Sequence, residues 1–333
     1  MLPVIAFGEA LVDMLSSRLG EPADEASETL AREAFTPYAG GAPANVAVAC
    51  ARLGVPSRFL GMLGDDHFGD FLAEELTAQG VDVSGVRRTR EARTALAFVS
   101  RDAEGERSFD FYRPPAADLL YRLEHLPAGV FAEPAVLHLC SNSLTDPAIA
   151  ETTLAMAEMA ARAGCVVSVD ANLRHSLWAE GRADAALVTR LLDRADLLKL
   201  SRDEVDDLRG DHPEDAWLAE RLAAGVKLAV ITDGAGDARA LGAGLSLSVT
   251  PPAVQAVDTT AGGDAFIGGL LAALAESGFT EGWHRDTARL GIALAFACRC
   301  GAHAVTRPGS YVALPTRGDV DGPVPAEGDR PSS

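Results

Sequence analysis

Along the whole chain, short apolar runs rich in β-branched residues alternate with segments whose apolar positions recur every three or four residues. The first pattern predicts buried strands and the second amphipathic helices. Strands are expected at 4–8, 57–61, 135–139, 166–169, 197–200 and 228–232. Helices are expected at 43–53, 68–79, 147–163, 184–194, 214–223, 265–276 and 283–300. Apolar strands separated by helices imply an α/β fold, a mostly parallel central sheet flanked by helices. Two excursions break the rhythm: residues 11–14 with 35–38, and 94–100 with 108–112, read as short antiparallel strands. Asp102-Ala103-Glu104-Gly105 has the chemistry of a hairpin turn within the second pair. A small antiparallel β-sheet, inserted from about 10–38 and 93–113, would make a lid on a larger domain spanning 1–320.

Composition narrows the function classes. Apolar residues make up 48% of the 333 positions, enough for a sizeable core. The net charge of −19 argues against nucleic acid or an anionic membrane as the main partner, but leaves room for a local basic pocket. Cys50, Cys140, Cys165, Cys298 and Cys300 are odd in number and lack the spacing of a zinc site, so buried free thiols are expected. The N-terminal residues read as a buried strand and not as a secretion signal, and no apolar run is long enough to span a bilayer. A cytoplasmic protein is the expectation. From Thr316 onward Pro, Gly and acidic residues dominate, and 321–333 are expected to form a flexible tail.

Two stretches carry candidate chemistry. Asp258-Thr259-Thr260-Ala261-Gly262-Gly263-Asp264 follows an apolar run at 253–257 and precedes a helical pattern. It reads as strand end, tight turn and helix start. Backbone N–H groups converge at a helix N-terminus, where the macrodipole is positive, and a phosphate suits that place. Asp264 would stand beside the anion as a base. A simple capped helix, with Asp264 satisfying N–H groups, fits the same letters. In Gly40-Gly41-Ala42-Pro43-Ala44-Asn45 the glycines permit close backbone approach, and Asn45 would offer an amide from the first helical turn to sugar hydroxyls. Plain capping of a core helix is the alternative there.

Together and in this order, Gly40-Gly41-Ala42-Pro43-Ala44-Asn45-Val46-Ala47 and Asp258-Thr259-Thr260-Ala261-Gly262-Gly263-Asp264 resemble the PfkB (ribokinase-like) carbohydrate kinases. Lys199-Leu200-Ser201-Arg202-Asp203-Glu204 and Val305-Thr306-Arg307-Pro308-Gly309-Ser310 are similar to that family too. Gly8-Glu9-Ala10-Leu11-Val12-Asp13, the segment from Gly105 to Arg113, and Asp170-Ala171-Asn172-Leu173-Arg174 look like fructokinases. The last of these also resembles 2-keto-3-deoxygluconate kinases, so Arg113 and Arg174 do not settle the substrate by charge. The resemblance implies ATP-dependent transfer of a phosphoryl group to a sugar primary hydroxyl, D-fructose giving fructose 6-phosphate. Another sugar or riboside, or 2-keto-3-deoxygluconate, is the alternative substrate, and a sugar-binding regulatory protein the non-enzymatic alternative. ATP, Mg2+, a monovalent cation such as K+, and a homodimer paired through the lid are implied as well.

By the same resemblance, Asp264 is the catalytic base, and Ala261, Gly262 and Gly263 supply the anion hole. Asp13, Gly40, Gly41, Asn45 and Arg174 match sugar ligands, with Phe98, Phe111 and Arg113 from the lid side. Asn172, Lys199, Ser201, Glu204, Thr232, Gly234 and Gly236 fall on the nucleotide side with Gly263, and Glu204 would order magnesium through water. Asp258, Thr260 and carbonyls near Ala304, Arg307 and Gly309 match a monovalent-cation site.

Three departures stand out. The family commonly reads Gly-Ala-Gly-Asp where this chain has Ala261-Gly262-Gly263-Asp264, and alanine lacks glycine's freedom for positive φ. Ser201 replaces an Asn, and Asp233 adds an acid beside the nucleotide loop. Gly234-Ala235-Gly236-Asp237 spells the common motif literally, but strand-and-turn character follows it. Without a helix there is no row of free N–H groups, so Asp237 is not expected to be the base. His67, His125, His138, His175 and His303 show no metal spacing.

Overall fold

Val4 and Ala6 pack into one apolar layer while Ile5 and Phe7 pack into another, so the first strand is buried on both faces. A parallel sheet covered by helices on both sides gives that pattern. The computed structural model describes residues 1–17, 33–101, 107–113 and 115–321. Its first third holds β1 (Val4–Phe7), β2 (Leu11–Ser16), β3 (Phe35–Gly40), α1 (Ala42–Arg52), β4 (Ser57–Gly64), α2 (His67–Ala78), β5 (Asp82–Thr89), β6 (Leu96–Arg101) and β7 (Arg107–Tyr112). The middle adds β8 (Val136–Cys140), α3 (Pro147–Arg162), β9 (Val166–Asp170), α4 (Ala185–Leu192), β10 (Leu197–Ser201), α5 (Arg202–Arg209) and α6 (Glu214–Ala224). Then come β11 (Leu228–Thr232), β12 (Ala238–Gly242), β13 (Leu245–Val249), α7 (Gly262–Ser277), α8 (Thr287–Ala304) and α9 (Arg317–Val320).

The large sheet has nine strands in the order β13-β12-β11-β10-β9-β8-β1-β4-β5. It is parallel from β11 to β5, and the β12–β13 hairpin extends it antiparallel. Helices α1, α2, α7 and α8 bury their apolar sides on one face, and α3 to α6 on the other. β1 lies between β4 and β8, so the chain builds outward from it in both directions. In open α/β sheets the crevice beyond the strand C-termini at such a switch is the usual ligand site. The small sheet runs β3-β2-β6-β7, its outer pairs antiparallel and its middle pair, β2 with β6, parallel. Among the described residues, no helix is long and apolar enough to cross a membrane. All five cysteines are free and buried.

Some expected elements differ. No strand forms at 253–257: Pro251 and Pro252 lack N–H donors, and Val257 is 61% exposed. Val257 and Asp258 instead donate their N–H groups to the Val305 carbonyl, just past the end of α8. Helix α7 starts at Gly262, three residues before the apolar pattern, so Asp264 lies inside its first turn. The helix expected at 283–300 splits into a 3-10 turn, Trp283–Arg285, and α8, whose start is capped by Asp286 accepting from Arg289 N at 3.0 Å. β5 and α5 had no expected counterpart, because charged residues interrupt their apolar positions. The hairpin turn expected at 102–105 and the tail from 322 lie outside the described residues.

Helices α1 and α7 pack unusually close, and this sets the site. A Cβ on Gly268 would fall 2.5 Å from Ala49 Cβ, and one on Gly269 2.7 Å from Cys300 Sγ. Small residues at these crossings let α7 approach both α1 and α8.

Candidate active site

That close crossing brings the first turns of α1 and α7 together. Asn45 Nδ2 donates to Asp264 Oδ2 at 2.7 Å, and Asn172 Nδ2 donates to Asp264 Oδ1 at 3.3 Å. Asn172 follows β9 with φ 39°, the single non-glycine at positive φ among the described residues. Asparagine tolerates that region better than most side chains. Sequence reading put Asn172 on the nucleotide side; the structure puts its amide on Asp264. Burial raises the Asp264 carboxyl above its ordinary pKa, opposed by the Asn45 amide and by the charges of Arg174 and Lys199. The Oδ1 atoms of Asn45 and Asn172 are buried without hydrogen-bond partners. Such orphaned acceptors are costly unless a donor arrives.

The loop before α7 has no residue at positive φ: Ala261 sits at φ −98°, ψ 7°. The exchange of glycine for alanine there is therefore free of strain. Close approach, not φ, constrains the two glycines. A Cβ on Gly262 would fall 2.7 Å from Val305 Cγ1, and one on Gly263 3.3 Å from Lys199 Nζ. Gly262 N already donates to Thr259 O at 3.2 Å. Asp258 anchors the loop from below: its Oδ1 accepts from Thr260 N and Oγ1 at 3.0 and 2.6 Å, and its Oδ2 from Gly309 N at 2.9 Å. This gathers Asp258, Thr260 and Gly309, and the Ala304 carbonyl accepts from Arg307 N nearby in sequence at 3.2 Å.

A cavity opens in front of Asp264, lined by Asp13, Gly41, Asn45, Phe111 and Arg174 among the expected residues. Asp13 Oδ2 accepts from Ser310 Oγ at 3.2 Å. Burial pushes its carboxyl up to about 7. Gly40 packs against that carboxylate, since a Cβ there would lie 2.2 Å from Asp13 Oδ2. Gly41 takes φ 103°, a backbone shape that needs glycine, at the N-cap of α1. Phe98 is not a lining residue; it makes edge contacts with Phe35 and Tyr112 at 5.1 Å within the small sheet. Arg113 is not one either. It is 1% exposed, and its Nε and Nη2 donate to Asp118 Oδ2 at 2.8 and 2.7 Å. Its Nη1 donates to Asn142 O at 2.8 Å. Arg113 thus braces the wall from behind. Glu9, Asn142 and Ser310 line the cavity unforeseen; the available signal was a polar residue just past an apolar strand, as at Glu9 and Asn142.

On the far side of the anion loop, Lys199 Nζ meets both Asp170 oxygens at 3.0 Å in a buried pair. Burial works against the ammonium, but Asp170 and Glu204 outweigh it and hold its pKa above the ordinary value. Glu204 accepts from Leu173 N at 2.8 Å and from Ser201 N at 2.7 Å, and Ser201 Oγ accepts from Glu204 N at 3.2 Å. This reciprocal cap fixes the start of α5 against the loop after β9. Asp233 is neutralised by Arg202 Nε at 3.2 Å, beside Thr232 and the turn holding Gly234 and Gly236. Asp237 sits in the β12–β13 hairpin region, accepting from Ser248 Oγ and Thr250 Oγ1 at 2.8 and 2.6 Å, with no helix behind it. Among the described residues, no group of three or more His, Cys, Asp or Glu could hold a metal on its own.

A model described as pfkB family carbohydrate kinase matches residues 1–317. The chain is 38% identical to fructokinase-1 of Oryza sativa subsp. japonica over 318 residues, 95% of this chain and 96% of that one. It is similar to the solved fructokinase of Xylella fastidiosa with bound ATP, at 41% identity and TM-score 0.88 over 96% of both chains. A double mutant of the Vibrio cholerae O395 fructokinase, solved with fructose, ADP and potassium ion, matches at 34% identity and TM-score 0.84, covering 96% of this chain and 97% of that one.

Proposed function

We propose how the site works from one premise: the chain belongs to the pfkB family of carbohydrate kinases. It is a carbohydrate kinase that phosphorylates D-fructose at the expense of ATP, as its full-length fructokinase relatives and the fructose- and ADP-bound neighbour support. One observation carries the residue-level reading: a buried carboxylate in the first turn of α7, held on both oxygens by amides from two other elements.

In this reading a sugar primary hydroxyl lies against Asp264, and its oxygen attacks the γ-phosphorus. The new P–O bond forms as the bond to the ADP oxygen breaks, and the hydroxyl proton passes to Asp264. The products are fructose 6-phosphate and ADP, with one proton left on the carboxylate. Transfer of this kind is loose, so positioning and electrostatics do most of the work. The N–H groups of Ala261 and Gly263 at the start of α7, with Lys199 beside Gly263, receive the charge on the γ-phosphoryl oxygens, while Gly262 N holds the turn through Thr259 O. Asp13, Asn45 and the Gly40-Gly41 backbone hold the sugar, and the small sheet, which carries Asp13 and Phe111, closes over it and excludes water.

Mg2+ would be held chiefly by phosphate and water, with Glu204, fixed by the Leu173 and Ser201 N–H groups, ordering one of those waters. Bound there, it would neutralise charge on the β- and γ-phosphates. K+ fits the loop that Asp258 ties to Thr260 and Gly309, where it would stiffen the anion hole. Release of ADP across a panel of fructose, 2-keto-3-deoxygluconate and ribose tests the substrate, and product analysis by phosphorus NMR tests the position phosphorylated.

A further inference from the structure

Glu9 and Asn142 are the buried polar residues of the cavity still without a task. They lie just beyond the C-termini of β1 and β8, the two neighbouring strands at which the sheet's build-up reverses. That is where an α/β sheet presents its ligand crevice. Both line the same cavity as Asp264. Glu9 is 2% exposed and Asn142 3%. Asn142 Nδ2 donates to Glu9 Oε1 at 2.9 Å, while the Oδ1 atom of Asn142 is buried with no partner. Behind the pair stands Arg113, donating to the Asn142 carbonyl and fixed by Asp118. The charges weighing most on Glu9 are Arg113 and Asp118, whereas those on Asp264 are Arg174, Lys199 and Glu204.

We propose that Glu9 and Asn142 form a hydroxyl-reading pair, whose carboxyl and amide oxygens accept from sugar hydroxyls at carbons other than the one phosphorylated. The pair determines specificity and takes no part in the proton transfer. A neutral polyhydroxy ligand satisfies it, because a hydroxyl fills the orphaned amide oxygen without adding charge next to a buried carboxyl. An apolar group in the same place leaves that acceptor unpaired, and sites built to bond a hydroxyl reject its absence strongly. Arg113 is then a positioning residue: it keeps Glu9 and Asn142 oriented and touches no substrate.

This inference rests on the fructose-kinase reading, and the experiment separates the two. The wild-type rate with ATP and fructose reports on that reading alone. Values of kcat/KM for 1-deoxy-, 3-deoxy- and 4-deoxy-D-fructose, against fructose, report on the pair in wild type, Asn142→Leu and Glu9→Gln. Wild type should lose roughly ten- to a hundredfold on at least one analogue. In Asn142→Leu that same penalty should shrink toward onefold, with KM for fructose raised about tenfold and kcat within about threefold. Glu9→Gln, isosteric and so less disturbing to folding, should shrink it in the same direction. The proposal is overturned if wild type shows no penalty on any analogue, or if both variants keep the wild-type pattern while losing activity equally on every sugar.

Discussion

Asn45 Nδ2 donates to Asp264 Oδ2 at 2.7 Å although 219 positions of chain separate the two residues. The bond joins the first turns of α1 and α7, and it favours the ionised carboxylate that burial disfavours. Replacing Asn45 by Leu removes that donor. The kcat of Asn45→Leu should drop about ten- to a hundredfold, and the acidic limb of its kcat–pH profile should move to higher pH, since Asp264 then gains a proton more easily. A profile with an unmoved acidic limb would show that the amide does not tune the base.

Asp13 predicts a stability effect of definite sign. Burial raises its folded-state pKa from 3.8 to about 7, so the native state binds the proton more tightly than the unfolded chain. Its contribution is then fully present below pH 3.8 and lost as pH rises through about 7. Asp13→Asn should be more stable than wild type at pH 8, by up to roughly 4 kcal/mol, with the difference vanishing near pH 4. Urea unfolding at the two pH values measures this, and the same variant should bind fructose poorly.

The brace behind the cavity should be costly to break from one side. Arg113→Met leaves the Asp118 and Glu9 carboxyls buried beside an apolar side chain, and should destabilise the fold by about 3–5 kcal/mol. Combining it with Asp118→Leu should recover part of the loss, because both charges then leave together. Equilibrium denaturation of the two single variants and the double variant gives the coupling.

Ala261 should be replaceable. Its φ of −98° makes no demand for glycine, so Ala261→Gly is expected to change kcat by less than about threefold. Gly263→Ala should do more harm, since the new Cβ would press toward Lys199 Nζ. Steady-state kinetics of the two variants side by side would reveal the reverse order if the loop's shape depended on residue 261.

Much of this was legible in the sequence. The strand at 228–232 has its expected ends, and the other expected central strands shift by a few residues at most, because buried parallel strands announce themselves as unbroken apolar runs. The helix start at Asp264 was legible from what surrounds it: Asp237 carries the more familiar letters, yet it lies in a hairpin region while Asp264 lies on a helix. Arg113 was harder. The family resemblance implied a ligand contact for it, and only the fold reveals Asp118, five residues on, turning back to claim it. Asn172 was read on the nucleotide side; that its unusual backbone turn directs the amide to Asp264 is a contact no local pattern shows. Glu9 and Asn142 meet because β1 and β8 are neighbours, a pairing that no local pattern encodes.

The most direct test of the account is the yield of ADP and fructose 6-phosphate from ATP and D-fructose, for wild type and for Asp264→Asn with its fold verified by circular dichroism. The account predicts equimolar products from wild type and a loss of about a thousandfold or more in kcat for the variant, with fructose still bound. An Asp264→Asn enzyme that is folded and keeps more than a few per cent of wild-type kcat would contradict it.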